Sequence, residues 1–242
     1  METIGDNSAV AVAARVARVR ERIAAAAHRA GRDPGGIQLV AVSKRHPVAA
    51  VEAAIAAGVD AFGENYVQEA QAKIAALGPR PGTQWHLIGG LQANKARAAV
   101  ECFDLVQTVD RSSLARRLGR IAIEEGRVLP VLVEVDLTGA EGRSGVAPAG
   151  LEALCAEIAA VPGLELRGLM GMAPPVAEAE GARPWFARLR SLFETLPDAH
   201  RRVLSMGMSG DYEVAVEEGA TLVRVGTALF GARPIASPGK AG

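Results

Sequence analysis

The sequence predicts a (β/α)8 TIM barrel, a single domain over residues 1–242 with an extra N-terminal helix, and three observations carry that prediction. Short apolar runs alternate with longer helical patterns along almost the whole chain, as in repeated strand–helix units around a parallel sheet. Eight such runs can be counted, and eight units in 242 residues fit a barrel of roughly 200 to 250 residues. The runner-up, a doubly wound open sheet, carries a Gly-x-Gly-x-x-Gly turn after its first strand, and this chain has none there.

The elements follow in order. Asn7-Ser8 reads as a helix start, and Val12, Val16, Val19 and Ile23 share one face of an amphipathic helical extension over residues 8–30, which ends near Gly31 and Pro34. The run Ala9 to Ala14 is too short to span a membrane, and Arg15, Arg18, Arg20 and Arg22 follow at once. Strands are predicted at 37–43, 60–63, 84–88, 105–109, 131–136, 164–170, 203–206 and 222–225. Helical patterns lie between them at 48–57, 67–77, 94–101, 112–126, 148–160, 185–196 and 211–218. Asp110 reads as a cap for the fourth of these, and Gly58 and Gly219 as residues just past a last turn. The tail over 234–242, rich in Pro, Gly and Ala, is expected to fray.

Composition narrows the function. The 27 basic and 27 acidic residues balance, which leaves no basic footprint for nucleic acid or an anionic membrane. Cys102 and Cys155 stand far apart without metal-ligand spacing, so no zinc site or disulfide framework is indicated and a reducing cytoplasm is expected.

In such a barrel the chemistry gathers where strands end. That rule selects Lys44 after strand one, Glu64 and Asn65 after strand two, His86 late in strand three, and Asp136 at the end of strand five. After strand six it selects Met170, and at the last two strands Ser205 to Asp211, Arg224 and Gly226-Thr227. Loops after strands seven and eight commonly hold phosphate in barrels. Here Gly207 and Gly226 would let the backbone approach an anion, while Ser209 and Thr227 add hydroxyls at helix starts. Residues 227–231 have the length of the extra helical turn such a site uses. Ser209 lacks the second glycine of a Gly-x-Ser-x-Gly elbow, which argues against a hydrolase nucleophile. Arg224 shares a strand face with Gly226, so it can point into the same cavity, and a ligand with an acceptor nitrogen would satisfy it; an ion pair is the plainer alternative. Lys44 shares a face with Val40 and Val42. Desolvated near an arginine, its amine would become nucleophilic. Lysine, phosphate cradle and arginine together describe a pyridoxal phosphate pocket.

The residues also carry a resemblance. Leu39 to Lys44, Phe62 to Glu69, Trp85 to Lys95, Arg167 to Met170, Leu204 to Ser209 and Val223 to Gly231 resemble, in order and over nearly the whole chain, the pyridoxal phosphate homeostasis protein family. That family shares its barrel with the N-terminal domain of alanine racemase. The resemblance implies that Lys44 forms a covalent aldimine with pyridoxal 5'-phosphate and that Asn65 lies beside the cofactor. It also implies that Ser209, Gly226 and Thr227 hold the phosphate and that Arg224 donates to the pyridine nitrogen. His86 and Met208, inside matched segments, complete the candidate cofactor-binding set. Two positions depart from the family pattern: Gly90 stands where proline is common, and Asp136 where asparagine is usual.

An arginine on the pyridine nitrogen disfavours ring protonation, which makes the cofactor a poor electron sink. Alanine racemase pairs its lysine with a tyrosine from a second domain, for which this chain is expected to have no room. Tyr66 and Tyr212 have no sequence reason to oppose Lys44. The expectation is therefore a non-enzymatic carrier or buffer of pyridoxal phosphate, monomeric, supplying apo-enzymes that use the cofactor. The alternatives are a weak amino-acid racemase with His86, Tyr66 or water as second proton donor, and a phosphate-binding enzyme using Lys44 without a cofactor.

Overall fold

The structure, a computed structural model, describes residues 8–140 and 142–231. Asn7 and the tail expected to fray lie outside the described residues. Eight strands, β1 Gln38–Val42, β2 Ala61–Glu64, β3 Gln84–Leu87, β4 Leu105–Val109, β5 Leu129–Val135, β6 Leu164–Gly171, β7 Val203–Ser205 and β8 Leu222–Val225, close into one parallel barrel in sequence order. β1 seals it, with Val40 in register with Ala61 on one side and with Arg224 on the other.

The strands are mainly apolar because both of their faces are covered. One set of alternate residues, Val40, Ala61, Leu105, Leu132, Met170 and Leu222, packs inside the barrel. The other set, such as Leu39, Ala41, Phe62 and Val223, packs outward into a larger apolar layer under the helices. Lys44, Arg224 and Glu134 continue the inward set toward the C-terminal ends of their strands, so polar groups crown an apolar barrel floor.

The outer ring comprises α2 Val48–Ala56, α3 Val67–Leu77, α4 Ala96–Cys102, α5 Ser112–Glu124, α6 Leu151–Ala159, α7 Arg183–Glu194 and α8 Tyr212–Glu217, with a short α9 Thr227–Phe230 after β8. The predicted helices beginning at 94 and 148 start instead with single 3-10 turns, Ala93–Lys95 and Pro148–Gly150. The expected cap of α5 is displaced by one residue: Arg111 stands at the N-cap without a side-chain bond to the helix, and Asp110 pairs with the Arg111 guanidinium at 2.6 Å.

α1, Ala9–Arg29, opens with Ser8 Oγ accepting from Ala11 N, and buries Val12, Val16, Val19 and Ile23 as its periodicity predicts. Its arginines have a structural use that periodicity does not reveal. Arg20 donates to the carbonyls of Ala57 and Gly58 at the end of α2, and Arg15 donates to Leu229 O in α9. Arg32, just beyond α1, donates to Val216 O and Ala220 O at the end of α8. Orphan carbonyls at helix ends thus gain charged donors from a neighbouring element. Among the described residues no helix is long and apolar enough to cross a membrane.

Candidate functional site

A cavity of about 620 Å3 opens at the C-terminal ends of the strands. Lys44, Asn65, Met208, Ser209, Arg224, Gly226 and Thr227 all line it, so seven of the eight residues predicted from sequence converge. Asp136, expected at the mouth, lines it too.

Lys44 follows β1 on the inward face, and its Nζ donates to Asn65 Oδ1 at 3.3 Å. Asn65 follows β2 and is held in place by Gly89, because a Cβ at residue 89 would sit 2.4 Å from Asn65 O and 2.7 Å from its Cα. Only glycine permits that approach of the loop after β3.

On the other side, Ser209 Oγ accepts from the backbone N–H groups of Gly226 and Ala228 at 3.1 and 3.2 Å. Two main-chain donors at the start of α9 therefore converge on one oxygen, the arrangement an anion requires. The loop that carries Ser209 is pinned by Asp211, whose Oδ1 accepts from Met208 N at 2.6 Å. Burial raises the Asp211 carboxyl pKa, against the Met208 hydrogen bond and the attraction of Arg224. Gly207 takes a different part from the one expected. It has φ +91°, and a Cβ there would lie 2.5 Å from Ala215 Cβ, so it permits close packing on α8 and does not line the cavity.

Arg224, 3% exposed, is the most buried charged residue lining the cavity. Burial pulls its pKa down to about 10, while Glu134 and Asp211 support the charge, so it stays cationic at neutral pH. One terminal nitrogen donates to Ser205 Oγ and the other to Gly171 O at 3.1 Å. Ser205 Oγ donates in turn to Gln107 Oε1 at 2.7 Å, and Gln107 Nε2 lies 3.1 Å from His86 Nδ1.

His86 is the one candidate that the structure moves. It lies within the barrel, 1% exposed, and does not line the cavity. Burial lowers its pKa to about 4, so the ring is neutral and Nδ1 accepts from the Gln107 amide. The strand-end rule selected it as late in β3, but it sits at a depth where Gln107 and Ser205 separate it from Arg224. Tyr66, the other side-chain donor considered for proton transfer, is 55% exposed at the start of α3 and outside the cavity lining.

Glu134 went unremarked in the sequence, although it shares a strand face with Asp136. It is buried, lines the cavity, and its pKa rises to about 7, chiefly through desolvation, with Asp110 and Asp136 adding to the rise and Arg224 opposing it. Desolvation also acts on Asp136, but hydrogen bonds from Thr138 and Gly139 prevail and hold its pKa below the usual value. Gly90 lines the same cavity, and a Cβ there would meet nothing nearer than Ser144 Oγ at 4.0 Å. Among the described residues no group of three or more His, Cys, Asp or Glu side chains could hold a metal ion. Cys102 and Cys155 are free thiols, their pKa values raised mainly by burial to about 12 and about 11.

These features define a closed parallel barrel whose C-terminal mouth gathers a lysine, a buried arginine and two convergent main-chain N–H donors in one cavity. Residues 15–234 match the family described as alanine racemase, N-terminal domain. The chain is 47% identical over 238 residues to the pyridoxal phosphate homeostasis protein of Pseudomonas aeruginosa, covering 98% of this chain and 99% of the relative. It is 44% identical over 229 residues to the protein of that name in Escherichia coli K12, covering 92% and 97%. PipY of Synechococcus elongatus PCC7942, solved with pyridoxal phosphate bound, superposes with a TM-score of 0.80 at 44% identity, over 91% of this chain and all of PipY. The chain belongs to the alanine racemase N-terminal domain family and, within it, to the pyridoxal phosphate homeostasis proteins. Alanine racemase of Corynebacterium glutamicum shares the fold at 20% identity and a TM-score of 0.68, with 63% of that longer chain covered.

Proposed function

We propose that the protein binds pyridoxal 5'-phosphate and serves its homeostasis as a carrier or buffer, with little or no turnover of its own. The observation that carries this reading is the convergence of Lys44, Arg224 and the Ser209 cradle on one cavity. The residues fit the cofactor by chemical type. The Ser209 and Thr227 hydroxyls supply donors for a phosphate, and Gly226 N and Ala228 N, which donate to Ser209 Oγ, strengthen that hydroxyl as a donor. Lys44 supplies an amine for the aldehyde, with Asn65 beside it. Arg224 supplies a fixed N–H donor for the ring nitrogen. When bound, the cofactor brings a reactive aldehyde and a conjugated ring able to delocalise charge.

The protein's own groups favour holding over turnover. Arg224 is a permanent charge anchored by Ser205 and Gly171, and its electrostatic field opposes a second positive charge on the ring. Neither His86 nor Tyr66 lines the cavity as a second proton donor. The names of the relatives support the same reading. Release to apo-enzymes, a monomeric state and a cytoplasmic location belong to this proposal.

Purified protein mixed with pyridoxal phosphate should acquire a visible absorbance that Lys44→Ala abolishes. Borohydride reduction followed by mass spectrometry should place the pyridoxyl group on the Lys44 peptide. Failure to take up cofactor would end the reading, and labelling at another lysine would correct its anchor. Alanine incubated with the loaded protein in deuterium oxide should exchange Cα–H no faster than with free cofactor.

A further inference from the structure

The buried lysine of α3 is absorbed by neither the core nor the cofactor site. Lys73 is 5% exposed, although its spacing from Glu69 reads as an ordinary surface pair. Its Nζ donates to Glu64 Oε1 at 2.6 Å, to Glu69 Oε1 at 2.8 Å and to the backbone carbonyl of Ser43 at 2.6 Å. Ser43 Oγ also donates to Glu64 Oε1 at 2.6 Å. Glu69 Oε1 accepts a further hydrogen bond from the backbone N–H of Arg45. The two peptide groups on either side of Lys44 are thus both held by side chains of α3.

The backbone shows why such holding is needed. Arg45 has φ +63°, a left-handed conformation that a residue with a side chain adopts only when its surroundings impose it. Its side chain is exposed, so packing does not impose the turn. The bond to Glu69 fixes the amide on one side of Lys44, and the bond from Lys73 fixes the carbonyl on the other. Together they restrict the torsions that aim the Lys44 side chain toward Asn65.

We propose that Lys73 and Glu69 are positioning residues for Lys44, gripping the peptide groups that flank it and so directing its amine into the cavity. The reactive lysine is held at three points by one strand–helix unit: Asn65 at its amine, Lys73 and Glu69 at its backbone. The purpose of this grip rests on the cofactor reading given above, but the grip itself can be tested without the cofactor.

Two measurements on the full chain decide it. The first is acetylation of the Lys44 peptide by limiting acetic anhydride across a pH range in cofactor-free protein, read by mass spectrometry. The second is the rate of pyridoxal phosphate capture, read by borohydride trapping. Glu69→Ala should shift the pH midpoint of Lys44 acetylation and slow capture about tenfold, as expected for a displaced reacting group. Glu69→Gln, whose amide oxygen can still accept from Arg45 N–H, should stay within about twofold of the parent. Lys73→Met should behave like Glu69→Ala; if it fails to fold, the Glu69 pair decides alone. A folded Glu69→Ala protein with the parental midpoint and capture rate would overturn the proposal, as would equal losses in the alanine and glutamine variants. Should the parent capture no pyridoxal phosphate while its Lys44 acetylation still separates alanine from glutamine, the cofactor reading fails and the positioning role stands.

Discussion

Arg224 shows how a single charge is kept in a barrel interior. A guanidinium taken out of water must be hydrogen-bonded, and here Ser205 and Gly171 accept from it while Glu134 and Asp211 support the charge. Ser205 can accept from Arg224 because its own proton goes to Gln107, whose amide in turn meets the neutral His86 ring. The direction of this chain depends on His86 being uncharged, since an imidazolium would present a donor to the Gln107 amide. Ser205→Ala removes the central link and leaves buried donor and acceptor groups without partners. It should destabilise the protein by about 1–3 kcal/mol in urea unfolding. By freeing the guanidinium it should also weaken pyridoxal phosphate affinity about tenfold or more in a spectrophotometric titration, the scale of one lost hydrogen bond to a charged group. Lost stability with unchanged affinity would show that the chain supports the fold but does not orient Arg224.

Elements bring these residues together, and two adjacent glycines after β3 show how local the constraint is. At Gly89 a Cβ would strike the Asn65 backbone, whereas at Gly90 it would enter open space. Gly89→Ala should therefore push the end of β2 away from Lys44, with a loss of about 1–3 kcal/mol in urea unfolding and slower cofactor capture. Gly90→Ala should be neutral or stabilising by about 0.4–1 kcal/mol, because only the unfolded chain loses freedom. Equal effects at the two positions would contradict this view of the loop. Strands and helices were legible in the sequence because the alternation of buried residues is a local property, and the strand-end rule then selected Lys44, Asn65, Ser209, Arg224, Gly226 and Thr227. Depth and pairing across elements were not legible. Lys73 reads as a solvated charge until α3 is laid against β1 and β2, and Gly207 reads as an anion contact until α8 is seen behind it. His86 reads as a pocket residue until the hydrogen bond to Gln107 of β4 shows it beneath the cavity.

The whole molecule balances two oppositely shifted groups over one pH range. His86 has its pKa lowered from 6.5 to about 4 by burial, so between those values the unfolded chain binds more protons and stability falls as the pH drops. Glu134 has its pKa raised from 4.5 to about 7, mainly by desolvation and further by Asp110 and Asp136, against Arg224. Between those values the folded chain binds more protons, and stability rises as the pH drops. Each shift corresponds to an upper figure of about 3 kcal/mol, and cavity water in contact with Glu134 reduces its share. The two therefore mask one another between roughly pH 7 and pH 5, and single substitutions should unmask them. Relative to the parent over that drop, His86→Gln should gain about 1–2 kcal/mol and Glu134→Gln should lose about 1–2 kcal/mol. Urea unfolding of cofactor-free protein at both pH values measures the two differences. Parallel pH profiles in the parent and both variants would mean that neither group titrates differently in the folded barrel. The opposed changes would show that acidification below neutrality neutralises Glu134 beside Arg224 before it charges His86. The cavity would then gain net positive charge while the barrel beneath it stays intact, and its affinity for sulfate, whose own charge does not change over that interval, should rise in the parent but not in Glu134→Gln.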